Sequence, residues 1–245
     1  MAQEIIKEHI QPQSFLAAGG SGIIYTIDDK RILKTYYDEG IDVERRAFER
    51  LGSHKNIVKY FGATRDGLVL ERGQLLRTVI QASEPGKIPL NTKIRWLREA
   101  AEGTRYIHDK KIIHADVGCN NWILVQGHLK IIDFEGCSID GEEAGACYEW
   151  FSYKESPVIS RKTDIFAFGC AVYEVITGKQ PYQELLEFDN RILRVRQLYS
   201  RNQFPEVKHI PLGRLMLGGW QGTLNSMREV LQELESVKVG ASPQE

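Results

Sequence analysis

The 245-residue sequence has almost no net charge: 32 Lys and Arg stand against 33 Asp and Glu, giving −1 at pH 7. A chain of neither sign offers no general attraction to nucleic acid or to an anionic membrane, so neither is expected as a partner. Cysteine is scarce. Cys119, Cys137, Cys147 and Cys170 show no C-x-x-C pairing and no ligand spacing, which leaves reduced thiols in a cytosolic protein, with the nucleus also open to it, as the expectation. Packing is their favoured role, and an oxidation-sensitive switch at Cys119 and Cys137 is the alternative. Long apolar runs are missing too: the longest, 165–176, is interrupted by Glu174, is too short to span a bilayer, and reads as a buried helix. The opening MAQEIIKEHI lacks the basic start and apolar core of a signal peptide. There is no internal repeat, and 240–245 reads as a loose tail. What is present, 42 % apolar and 27 % charged residues, is an ordinary globular composition with enough chain for a sizeable core.

The chemistry concentrates in 114–136, HADVGCNNWILVQGHLKIIDFEG. Two short β-type runs, Trp122–Val125 and 129–132, are joined by Gln126, Gly127 and His128, turn residues that let them fold back as a hairpin. Asp116 and Asn121 then stand at the hairpin's entry and Asp133 at its exit, so all three can converge at one end. That suits a reaction that holds Mg²⁺ and orients a hydroxyl against a phosphate. A polar loop capping a hairpin is the plainer alternative.

Upstream, FLAAGGSGII (15–24) is followed by YTI, the turn DDK and the strand-like RILKTY. Strand, glycine-rich turn, strand is a context in which backbone N–H groups can approach a polyphosphate. Lys34 follows in a strand whose alternation puts it on the same side as Ile32. In 42–51, DVERRAFERL, Glu44 shares the apolar face of a helix with Ala47, Phe48 and Leu51. A carboxylate on a buried face needs a cation, and Lys34 supplies one. Glu49 falls on a solvated face. Further on, Ile94, Leu97, Ala101, Thr104 and Ile107 form a helical stripe leading into IIHAD. SRKTDIFAFGCAVYEVITGKQPY (160–182) places Asp164 at the start of a helix apolar almost all round, where it can serve as a cap.

H-x-D-x-x-x-x-N, a hairpin and D-F, with HKNIVKYFG and TDIFAFG…TGKQPY in the same order, resemble the eukaryotic protein kinases over 15–236. The pairing of H-x-D with D-F-E-G is similar to compact kinases of filamentous fungi. The resemblance implies an α+β, bilobal fold over 12–238: an N-lobe of about 12–70, a hinge at 71–73, a mostly helical C-lobe at 74–238 and a tail at 239–245. It implies ATP-dependent phosphoryl transfer to a protein hydroxyl, Ser/Thr over Tyr, by a monomer. In that pattern Asp116 handles the acceptor proton, Asn121 and Asp133 hold Mg²⁺ (or Mn²⁺), Lys34 grips phosphates and Glu44 positions Lys34. ATP would touch Ala17, Gly19, Gly20, Ser21, Gly22, Ile24, Ile32, Lys34, Leu70, Glu71, Gly73 and Ile123. Asp164 would bind the backbone of the catalytic loop.

Four departures matter. Ala115 replaces the arginine before the catalytic aspartate, so a phosphorylated Ser138, Tyr148, Ser152 or Tyr153 would lack its usual partner. Gly118 and Asn120 stand where lysine or arginine is common. Glu135 follows Asp133-Phe134; it reads either as an extra carboxylate near the metal or as an exposed residue with Gly136 as hinge. No A-P-E appears, and the arginine that pairs with its glutamate is missing too. A pseudokinase and a small-molecule kinase of the aminoglycoside or choline type are the alternatives.

Overall fold

The computed structural model describes residues 14–20, 22–37, 40–145, 148–153 and 158–236. Alternating side chains build the first sheet from β1 (Ser14–Ala18), β2 (Gly22–Thr26), β3 (Arg31–Tyr36), β4 (Tyr60–Ala63) and β5 (Leu68–Glu71), with α1 (Gly40–Leu51) between β3 and β4. The strands pair antiparallel in the order β1-β2-β3-β5-β4. Leu33 enters a small cluster with Ile27 and Val69 on one face, which leaves Ile32 and Lys34 on the other. Gly22 is needed for strand packing: a Cβ there would lie 1.8 Å from the Thr35 carbonyl oxygen. Helix α1 starts two residues ahead of the expected 42. It buries Glu44, Ala47, Phe48 and Leu51 and exposes Glu49, as its periodicity requires.

The second lobe is mostly helical: β6 (Gln74–Leu75), α2 (Leu76–Ala82), α3 (Leu90–Asp109), β7 (Ile112–Ile113), β8 (Trp122–Val125), β9 (His128–Ile131), β10 (Ser138–Ile139), α4 (Arg161–Thr177), α5 (Arg191–Ser200), α6 (Gly213–Gln221) and α7 (Met227–Ser236). This is the expected α+β bilobal arrangement, and the hinge is only the short stretch between β5 and β6. The outer bounds 12–13 and 237–238 and the tail 239–245 lie outside the described residues.

The hairpin differs from its sequence reading by one residue. Gln126 and Gly127 alone make the turn, with φ of 50° and 79°, and His128 already pairs with Val125. Two consecutive positive φ values mark a type I′ turn, whose twist matches the flanking strands. Glu99 of α3 fixes that register, accepting from Leu129 N–H at 2.7 Å and meeting His128 Nδ1 at 2.7 Å. Ile132 therefore leaves the ladder and leads into Asp133.

Helix α4 is the axis of the lobe, with residues buried nearly all round it. Its N-terminus is closed by the Thr163 hydroxyl, which accepts from Ser160 N–H at 2.8 Å, so Asp164 is not the cap. Cys119, Cys137 and Cys170 are buried and free, and burial pushes the Cys137 and Cys170 thiols up to about 12. Such thiols are packing groups rather than reactive thiolates; Cys147 lies outside the described residues. Among the described residues, no helix is long and apolar enough to cross a membrane.

Candidate active site

Strand β3 and helix α1 meet in an ion pair. Lys34, 9 % exposed in its side chain, reaches Glu44 Oε2, ten positions further along the chain, at 2.7 Å. Glu44 also accepts from the Tyr36 hydroxyl and from Phe134 N–H at 3.0 Å, so a fully buried carboxylate is satisfied by three donors, two on β3 and one on the segment after β9. Phe134 packs edge-on against Phe48 at 5.3 Å and against His114 at 5.1 Å, an aromatic chain from α1 to the catalytic loop.

The loop is held from beneath by α4. Asp164 accepts from His114 N–H (2.9 Å), Ala115 N–H (3.0 Å), the Tyr148 hydroxyl (2.6 Å) and His108 Nε2 (2.8 Å). Burial alone would raise this carboxyl; the hydrogen bond and charge of His108, with Tyr148, hold it below the usual carboxylate value. Ala115 takes φ 66° and Asp133 φ 69°, backbone states that cost about 1–2 kcal/mol for a residue with a Cβ. Both strained residues adjoin or belong to the site, where such conformations concentrate. His114 Nε2 meets the Ile132 carbonyl at 3.0 Å while Asp116 N–H points at Nδ1 at 3.3 Å, so a ring proton is placed on Nε2. The ring thus ties the aspartate at 116 to the one at 133.

Asn121 donates to both the backbone and the side-chain oxygen of Asp116, at 2.8 and 2.7 Å. Its amide oxygen remains for a cation. The second Asp116 oxygen, Oδ1, is buried and has no hydrogen-bond partner. Burial, with smaller contributions from Glu149 and Asp133, lifts the Asp116 carboxyl to about 6. A side chain at 118 would have to displace the Asn120 amide, since a Cβ would lie 2.7 Å from Asn120 Oδ1 and 3.3 Å from Glu149 Oε2.

Lys34, Glu44, Asn121 and Asp133 open onto one cavity of about 460 Å³. Of the expected nucleotide contacts, Ala17, Gly19, Gly22, Ile24, Ile32, Leu70, Glu71, Gly73 and Ile123 line it as well. Gly20 is not among the lining residues, and Ser21 lies outside the described ones. The hinge is more committed than its sequence suggests: Glu71 N–H donates to the Lys59 carbonyl and Arg72 N–H to that of Lys30. The Glu71 carboxylate takes Lys130 at 2.8 Å. Glu71, Arg72 and Gly73 all line the cavity, so a ligand there would have to use hinge groups other than those two N–H donors.

Glu135 is neither exposed nor turned outward. Its Oε2 lies 3.1 Å from Lys34 Nζ, beside Asp133 Oδ1 at 2.6 Å. The oxygens of Glu44, Asp133 and Glu135 fall within 4.8 Å of one another, a spacing compatible with a metal, but the Lys34 ammonium sits among them.

A second charge cluster escaped the sequence reading. Arg77 of α2 forks onto Glu149 at 2.6 and 2.6 Å and onto Glu174 of α4 at 2.6 and 2.8 Å. The signal was present: Glu174 interrupts an apolar run, and a buried carboxylate there demands a cation as much as Glu44 does.

A family model described as "Protein kinase domain" matches residues 24–237. The chain belongs to that family. "Mitogen-activated protein kinase kinase kinase 7" of Bos taurus is 28 % identical over 96 % of this chain and 44 % of its own length. "Fer-related kinase 1" of Caenorhabditis elegans is 29 % identical over 76 % of this chain and 52 % of its own. "Mitogen-activated protein kinase kinase kinase 5" of Homo sapiens is 28 % identical over 66 % and 13 %. The chain thus spans less than half the length of the first of these kinases.

Proposed function

We propose that this kinase domain transfers the terminal phosphoryl group of ATP to a serine or threonine hydroxyl of a protein, with Asp116 receiving the acceptor's proton. One observation carries the reading: Asp116 Oδ1 is buried without a donor, on a carboxyl poised near pH 6. A buried polar atom without a partner asks for an explanation, and an incoming hydroxyl supplies the missing donor. Lys34 grips phosphates, Glu44 and Tyr36 hold its stem in place, and the apolar residues Ile24, Ile32, Leu70 and Ile123 enclose the base. The Asp133 carboxylate and Asn121 amide oxygen are the hard oxygen donors Mg²⁺ prefers, and would hold it. When bound, the ion neutralises phosphate charge as the bond to the leaving group breaks.

The domain works without phosphorylation of its activation segment. Ser138, Tyr148 and Ser152 are 6 %, 4 % and 2 % exposed, and their hydroxyls are hydrogen-bonded inside the fold. Tyr153 is partly covered, with Arg196 over its ring at 4.8 Å. The segment is fastened by carboxylates instead: Arg50–Asp140, Arg46–Glu142 and Arg77–Glu149. Purified protein with labelled ATP on a mixed peptide array, with Asp116→Ala as the blank, tests the activity and separates Ser/Thr from Tyr acceptors. Phosphatase treatment should barely change the rate; a tenfold drop reversed by rephosphorylation would overturn the regulatory half. Labelling absent from every peptide but present with nucleotide binding would favour the pseudokinase reading.

A further inference from the structure

Lys34 faces more negative charge than one ammonium carries. Two of its contacts, to Glu44 and Asp133, are hydrogen bonds. The third, to Glu135, is a contact of charge alone, because Glu135 Oε2 is buried and accepts no hydrogen bond. A buried carboxylate oxygen without a donor is unfavourable. It persists because the backbone on its N-terminal side is fixed, by Asp133 in the left-handed region and by Phe134 fully buried between Phe48 and His114. Burial alone would lower the Lys34 ammonium, but Glu44, Asp133 and Glu135 together hold it well above its usual value. One cation therefore meets three carboxylates, and Tyr36 adds only a hydroxyl. A polyphosphate reaching this end of the cavity encounters a net negative field and a lysine already directed at carboxylates.

We infer that Glu135 is a charge gate on the nucleotide site, holding Lys34 until phosphates arrive together with a divalent cation. Nucleotide binding is thereby made conditional on the metal. The inference rests on the nucleotide reading of the cavity given above. Glu135 acts through Lys34 and is a positioning residue, not a catalytic one. Free ATP is more negative than its metal complex by the charge of the cation, so loss of one carboxylate favours free ATP more. By linkage, the same loss weakens the cation's hold on the protein–ATP complex by an equal factor.

The test is calorimetric binding of ATP, once in EDTA and once in saturating Mg²⁺, to the wild-type chain, Glu135→Gln and Glu135→Ala. Gln keeps the shape of the side chain and Ala removes it, so a folding defect in one leaves the other informative. Metal-free ATP should bind the variants about tenfold tighter, roughly 1.4 kcal/mol, while the affinity for Mg·ATP changes much less. The ratio of the two affinities then shrinks. An unchanged ratio overturns the gate and leaves the nucleotide reading standing. No ATP binding by any of the three proteins, with or without metal, overturns both.

Discussion

Lys34, buried, and Arg77, partly buried, are each flanked by carboxylates, yet they are built to opposite ends. Arg77 spends its planar fork on Glu149 and Glu174, both pairs are bidentate, and each of its three nitrogens and all four carboxylate oxygens has a partner. Lys34 is a compact point charge among three carboxylates, opens onto a cavity, and leaves one buried oxygen without a donor. The closed network ties α2, the activation segment and α4 into one body. The open one is a site waiting for something else to complete it. What separates strut from site is the balance of donors and acceptors, not the burial of charge.

Breaking each cluster should therefore give opposite signatures. Arg77→Met strands two carboxylates, one of them on a residue 2 % exposed, and should lower stability by about 3–5 kcal/mol. For a chain of this size that is a melting point lower by roughly 6–20 °C. Adding Glu174→Gln and Glu149→Gln to the same protein should recover much of the loss; no recovery would mean that packing of the guanidinium, not charge, holds these elements together.

Lys34→Met should tell chiefly on the rate. Glu44 keeps the Tyr36 hydroxyl and Phe134 N–H and Asp133 can turn to water, but Glu44 and Glu135 lose their cation, so the melting point should fall too, by less than for Arg77→Met. The phosphoryl-transfer rate should fall by about 10²–10³, the scale of removing one stabilising group from a transition state. Rate loss matched by an equal loss of fold would erase the distinction between the two clusters.

Asp116 extends the comparison to a single unsatisfied carboxylate. An ordinary carboxyl near 3.8 is lifted here to about 6, so the folded chain binds this proton more tightly than the unfolded one. Stability contributed at this group falls as pH rises from about 4 to 6, and the full penalty is carried above that. Asp116→Asn should abolish transfer and yet raise stability at pH 7 by of order 1–3 kcal/mol, an advantage that vanishes below about pH 4. In the wild type the rate should drop as pH is lowered through about 6, since only the ionised form accepts a proton. A flat rate profile between pH 5 and 7 would remove Asp116 as the base. The smallest effect is expected from Arg50→Gln. Its pair with Asp140 is 35 % and 48 % exposed, so stability should change by no more than about 1 kcal/mol.

Much of this was legible in the sequence because the informative residues are close in the chain or on one periodic face. Glu44 announced its need for a cation through helix periodicity, and Lys34 lay ten residues away. The 114–136 segment carried Asp116, Asn121 and Asp133 with their spacing intact. Arg77 was not legible, because its partners stand 72 and 97 residues off and no local pattern links them. The hairpin register slipped by one because His128 reads as a turn residue until Glu99 is seen to anchor it. Glu135 was undecided because its direction follows from the left-handed backbone at Asp133, which no side-chain pattern encodes.

Asp164 has a kinetic consequence. The amide protons of His114 and Ala115 point at a carboxylate with no exposed surface, on the central helix of the larger lobe. Local fraying cannot release them, so they should exchange with solvent deuterium only when the whole lobe opens. A loop this deep in the cooperative unit gives no early warning on heating. Its catalytic competence should persist unchanged up to the edge of the melting transition and disappear with it, in one step.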